Sequence, residues 1–185
     1  MTRERRIPVN STQLFSGIAA ALFLQSVASA EPPDPIAAIG ETLVATIRAQ
    51  GAQVYECTAD ATGRLEWQFR EPIATLLVYG KTVGRHFAGP TWELTDGSKV
   101  LGKVAGRAPG ATATDIPLLK LDAVPQRDSG LLAGVTTIQR LNTKGGVAQG
   151  PCETLGELLS VAYSADYAFH RKPRWSLIPD TTRHD

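Results

Sequence analysis

Hydrophobic and polar residues alternate along most of this chain with a period of two. Leu65, Trp67 and Phe69 are interleaved with Arg64, Glu66, Gln68 and Arg70, which describes a strand with one buried and one wet face. Ala74 to Tyr79 is a more continuous apolar run, suited to an inner strand. Trp92 and Leu94 alternate next, Asp96-Gly97 supplies a hairpin turn, and Val100 to Val104 returns. Leu118 to Val124 and Val135 to Leu141 are two further strands, followed by a polar, glycine-rich turn from Asn142 to Gly146. Val161, Tyr163, Ala165, Tyr167 and Phe169 alternate for a last strand.

One stretch has a different period. Ile36, Ile39, Leu43 and Ile47 recur every three or four residues behind Asp34-Pro35, an N-capping residue and a proline suited to the first helical position. Gly51 then stands where a helix commonly ends, so residues 31–50 read as an N-terminal helix. Leu155, Leu158 and Leu159 give a weaker helical signal over 153–160. Loops rich in Gly, Ala, Pro and Asp fill 105–115 and 125–130, and the tail over 171–185, with Pro173 and Pro179, reads as irregular. Many short strands behind one helix predict a mainly β, single-domain sandwich or barrel spanning 51–170.

The first thirty residues belong to a different class. Arg3, Arg5 and Arg6 precede the apolar run Leu14 to Leu24, and Ala28-Ser29-Ala30 closes the segment with small residues. That is the layout of a secretory signal, too short in its apolar part to span a bilayer. The sequence therefore predicts export to the periplasm or the exterior, with no stable membrane insertion after cleavage. Cleavage after Ala30 removes three Arg and one Glu and takes the formal net charge from +1 to −1. A near-neutral domain lacks the clustered Lys and Arg that nucleic-acid binding rests on, so that class of partner is excluded. Overall, 43% hydrophobic and 20% charged residues describe a chain that can fold. Its two cysteines, Cys57 and Cys152, are read first as a disulfide in an oxidising compartment, with two buried thiols as the alternative. No Cys or His stands nearby at zinc-ligand spacing.

Catalysis needs titratable groups brought together, so the three histidines come first. His184 is next to the terminus, and His170 ends the last strand beside Arg171 and Lys172. His86 sits among Gly84, Gly89 and Pro90, residues that fix an unusual backbone path and permit close approach. Asp96 would pair with His86 if the chain folds back between them, giving a proton shuttle or a metal ligand pair. The simpler reading makes Asp96 a hairpin residue and His86 an internally bonded one. Asp115, Asp122 and Asp128 lack the spacing of a calcium loop. Nucleophile-elbow, zincin and phosphate-loop signatures are missing, and no cofactor or metal is called for. Trp67, Trp92, Tyr163 and Tyr167 offer either core packing or a stacking surface for a ligand, and Trp175 stands in the tail.

Several runs in order resemble one family. They are Gly51-Ala52-Gln53-Val54-Tyr55-Glu56-Cys57, Gly84-Arg85-His86-Phe87-Ala88-Gly89-Pro90-Thr91-Trp92 with Asp96-Gly97-Ser98, Val135 to Thr143 with Gly145-Gly146 and Cys152, and Tyr163 to Phe169. Together they are similar to the family called domain of unknown function 3455, over Gly51 to Phe169. This chain departs from the family at Leu118, where a tryptophan tends to follow Ile-Pro, and at Lys120. The resemblance implies an exported single domain and no particular reaction.

The sequence thus favours a non-catalytic exported module that binds a small molecule, a glycan or a protein, or has a structural role in the envelope. His86, Trp92, Trp67 and Tyr167 are its binding candidates. The rival is a secreted enzyme built around His86, with Asp96 and Trp92 in support and a metal as a further option. A carrier with an apolar ligand inside a barrel is a third reading, and it predicts an internal cavity.

Overall fold

The structure is a computed structural model that describes residues 34–127 and 129–173. The signal segment 1–30, Asp128, Trp175, Pro179 and His184 lie outside the described residues. Eight strands follow one another: β1 Thr42–Ala59, β2 Leu65–Val78, β3 Lys81–Phe87, β4 Thr91–Leu94, β5 Lys99–Ala108, β6 Leu118–Arg127, β7 Thr137–Gly145 and β8 Leu158–Arg171. Each pairs antiparallel with its neighbours in sequence, and β8 returns to pair with β1, so the sheet closes into a barrel. Between the two architectures expected, a two-sheet sandwich is thereby excluded. Closure leaves no free edge, which is how an all-antiparallel sheet avoids exposing unpaired backbone.

The expected helix over 31–50 is not there, and no helix occurs among the described residues. Asp34 does cap a turn, its Oδ1 accepting from the Ile36 amide at 2.9 Å, but the chain then enters β1 at Thr42. The three-four spacing was coincidental: Ile36 and Ile47 are buried, whereas Ile39 and Leu43 are 76% and 54% exposed. Thr42, Val44, Thr46 and Ile47 are β-branched, and pairing with β8 from Thr42, joined by β2 from Arg48, outweighs a helical pattern held by four residues. Gly51 ends nothing. It lies mid-strand, where an added Cβ would fall on the Ile73 carbonyl oxygen and within 2.5 Å of Ala74 Cα, so glycine is what lets β1 approach β2.

The weak helix over 153–160 is absent too. Gly156 takes a φ of 80° in a turn, and Leu158 opens β8. Asn142 to Gly146 is not a turn either, because β7 runs on to Gly145. Instead the register of β7 against β8 shifts between Leu141 and Lys144, with Asn142 at a φ of 49°. That is a bulge, for which asparagine's tolerance of the left-handed region is suited.

The interior is filled by alternate residues of every strand. Ile47, Leu76, Trp92, Val100, Leu121, Ile138, Tyr167 and Phe169 are almost fully buried in one cluster, joined by Leu132 and Val135 from the β6–β7 connection. Cys57 and Cys152 form a disulfide across 95 residues, tying the β7–β8 connection to the end of β1. Such a bond marks an oxidising compartment. In the chain-entropy account, a loop of that length contributes about 4–5 kcal/mol.

Candidate functional site

The hairpin between β3 and β4 places the first two site residues. Gly89 takes a φ of 120° in the turn Ala88-Gly89-Pro90, and the Thr91 hydroxyl closes it by donating to the Ala88 carbonyl at 2.9 Å. His86 and Trp92 are thereby set directly opposite each other across the ladder. Their rings stack at 4.4 Å with 12° between planes. Tyr167, from β8, meets both edge-on, at 4.9 Å from the imidazole and 5.0 Å from the indole. Three of the four binding candidates are therefore one aromatic cluster inside the closed sheet. The fourth, Trp67, is half-buried on β2 opposite Cys57 and does not join them.

His86 is 2% exposed, and its Nδ1 lies 2.9 Å from the Thr91 carbonyl oxygen. A carbonyl only accepts, so Nδ1 carries the proton and Nε2 holds the lone pair. Burial is the main reason the ring's pKa falls to about 3, partly opposed by that hydrogen bond and deepened by the charge of Arg140. His86 is neutral at every physiological pH.

Asp96 stands apart from this cluster. Its Oδ1 accepts from the Ser98 amide at 2.9 Å and the Ser98 hydroxyl at 2.6 Å, and its Oδ2 from the Leu131 amide at 2.7 Å. The Ser98 hydroxyl is the largest of the influences that lower its pKa. The carboxylate thus fixes the β4–β5 hairpin to the β6–β7 connection, and the structure does not bring it to His86. Among the described residues no three His, Cys, Asp or Glu side chains converge as a metal site.

Beside His86, Trp92 and Tyr167 the barrel interior opens into a cavity of about 350 Å³. Leu119, Leu121 and Ile116 form an apolar wall, and Tyr55, Phe69 and Val104 stand nearer the solvent. Arg70, Arg107 and Arg140 also line it, whereas no Asp or Glu does among the described residues. Arg140 projects from β7 opposite Tyr167 and Leu119, with Nε donating to the Pro117 carbonyl at 2.9 Å. Sequence reasoning passed over it, although it shares its parity along β7 with the buried Ile138. A charge on the apolar face of a strand was the available signal. Gln53, 2% exposed, escaped for another reason: the parity it shares with Ile47 and Ala49 was hidden under the expected helix.

Several polar atoms at this site lack partners. Gln53 Nε2, Trp92 Nε1, Tyr163 OH and Tyr167 OH are buried without a hydrogen bond of acceptable geometry. Tyr163 nevertheless lies within reach of Tyr167 and Gln53, and Tyr167 within reach of Arg140, so these groups can pair with one another. Burial raises both tyrosine pKa values above the ordinary phenol, and Arg140 acts in the opposite direction. An unpaired buried donor costs about 1–3 kcal/mol.

No curated protein and no solved structure matches the chain. The profile of one family does, over residues 38–171, which takes in all of the barrel from just before β1 to the last residue of β8. The chain accordingly belongs to the family described as "Protein of unknown function (DUF3455)".

Proposed function

We propose that this domain is an exported, non-catalytic binding protein that holds a small ligand inside its closed sheet. The observation that carries the reading is the cavity itself: about 350 Å³, walled by aromatic and aliphatic side chains, with buried donors left unpaired. That volume lies at the lower end of the ordinary range for ligand pockets, about 300–1,000 Å³, and the mixture of apolar wall and few polar groups is typical of them. The basic, apolar, small-residue start of the chain and the Cys57–Cys152 disulfide support export.

The rival, an enzyme acting through His86, draws less support. General acid–base catalysis calls for a group that titrates near the working pH with a partner to orient it. His86 is held neutral with Nδ1 engaged by backbone, and Asp96 is occupied in a hairpin elsewhere. A near-neutral mature domain also gives no reason to expect nucleic acid as a partner.

The test is a titration of the mature, disulfide-bonded protein with N-phenyl-1-naphthylamine, a neutral apolar fluorophore. Saturable binding at one site per chain is expected, and Val104→Trp, which fills the mouth from a partly exposed position, should remove it. Absence of saturable binding by the folded wild-type domain would sink the proposal.

A further inference from the structure

Resting on the binding reading above, we infer that the ligand is an amphiphilic organic anion. It would have an apolar body and one carboxylate- or sulfonate-like head, and Arg140 would receive the head. Three independent features of the cavity converge on that class.

Charge comes first. Of the three lining arginines, Arg70 is drawn away by Glu56 at 3.6 Å and Glu71 at 3.5 Å. Neither Arg107 nor Arg140 has a carboxylate partner among the described residues. Arg140 donates through Nε to the Pro117 carbonyl and lies within reach of the Tyr167 hydroxyl, both neutral partners, so its planar fork still has donors for a carboxylate-like acceptor. It stands opposite Tyr167 in the β7–β8 ladder and lines the same cavity as His86 and Trp92.

The second feature is the sign of the hydrogen-bonding surplus. Gln53 Nε2 and Trp92 Nε1 can only donate, and the Tyr167 hydroxyl can donate as well as accept. All three residues line the cavity and are at least nine-tenths buried. An ionised carboxylate or sulfonate only accepts, so it completes such a set, whereas a cation would meet Arg140 and a row of N–H groups. The third feature is the wall. Leu119, Leu121 and Ile116 face the stacked His86 and Trp92, and a neutral imidazole adds no charge of its own there. Such a wall accommodates a hydrocarbon or aromatic body and gives a simple inorganic anion little to gain.

The experiment compares two probes with the same apolar body. 8-Anilinonaphthalene-1-sulfonate is anionic, and N-phenyl-1-naphthylamine lacks the sulfonate. The anion should bind roughly 10- to 100-fold more tightly, the span expected of one charge-assisted pair in a partly desolvated site. Arg140→Gln should abolish that preference, read as the ratio of the two probes' affinities within the one variant, and Arg140→Lys, with the charge but not the fork, should retain part of it. Circular dichroism melts establish that each variant is folded. Equal affinity of the two probes for the wild-type domain overturns the anion inference but leaves the binding reading standing. No saturable binding of either overturns both. A folded Arg140→Gln or Arg140→Lys domain that keeps the full preference overturns the assignment to Arg140.

Discussion

Buried and neutral, His86 should make the fold acid-sensitive in a calculable way. In the unfolded chain an imidazole takes up a proton near pH 6.5, while in the fold burial holds its pKa down to about 3. Between those values the unfolded state binds more protons, so stability rises with pH and is lost as pH falls from about 6.5 toward 3. Linkage puts the loss at about 2 kcal/mol at pH 5 and about 3 kcal/mol at pH 4. For a domain of this size, 2 kcal/mol corresponds to a fall in Tm of roughly 4–8 °C. The diagnostic variant is His86→Asn, whose amide can keep the hydrogen bond to the Thr91 carbonyl but does not titrate. Losing the stack on Trp92 lowers its stability at pH 7 by about 0.5–1.5 kcal/mol. Its stability should then decline less steeply than that of wild type toward pH 4. Differential scanning calorimetry of both proteins from pH 7 to pH 4 measures the difference in slope. His170, whose pKa burial also lowers, contributes equally to both. Parallel curves would mean that His86 titrates normally, and the buried neutral ring would be refuted.

Removing the disulfide with Cys57→Ala and Cys152→Ala should cost about 4–5 kcal/mol, or roughly 8–20 °C in Tm. A fall of less than about 3 °C in thermal melts would contradict the loop-entropy account. Gly51→Ala should destabilise by about 1–3 kcal/mol, read as a lower urea midpoint, because its Cβ meets the β2 backbone at Ala74. An unchanged midpoint would place that strand crossing elsewhere. Asp96→Ala should lose roughly 1 kcal/mol by freeing the Ser98 and Leu131 donors. Because the folded pKa of Asp96 is lowered, its contribution is present above the ordinary carboxylate range and fades as pH falls through the lowered value. Wild-type and variant stabilities should therefore converge in acid, and a gap that stays constant down to pH 2 would assign the loss to something other than the charge.

Local chemistry was legible wherever it was strong enough to act alone. Period-two alternation located much of β2, β4, β5, β6, β7 and β8 but not β3 or the first half of β1, Asp96-Gly97 located its hairpin, and the two cysteines located the disulfide. Closure of the sheet was not legible, because it depends on β8 pairing with β1 across more than a hundred residues, and no local pattern encodes that register. The helix failed for the same reason. Ile36 to Ile47 satisfied a helical period, but β8 supplies backbone partners to β1 from Thr42 and β2 joins it from Arg48, and nonlocal hydrogen bonds decide such a contest.

The site divides along the same line. His86 and Trp92 could be singled out from sequence as a histidine among glycines and an alternating aromatic, and the turn at Gly89-Pro90 pairs them locally. Tyr167, Gln53 and Arg140 come to them from β8, β1 and β7, and only closure of the barrel makes these residues neighbours. The sequence alone determined which residues can donate, stack or carry charge. The tertiary structure decided which of them share a cavity, which acceptors each donor lacks, and that Asp96 would be kept from His86. Those outcomes follow from long-range strand register, which depends on the whole sheet.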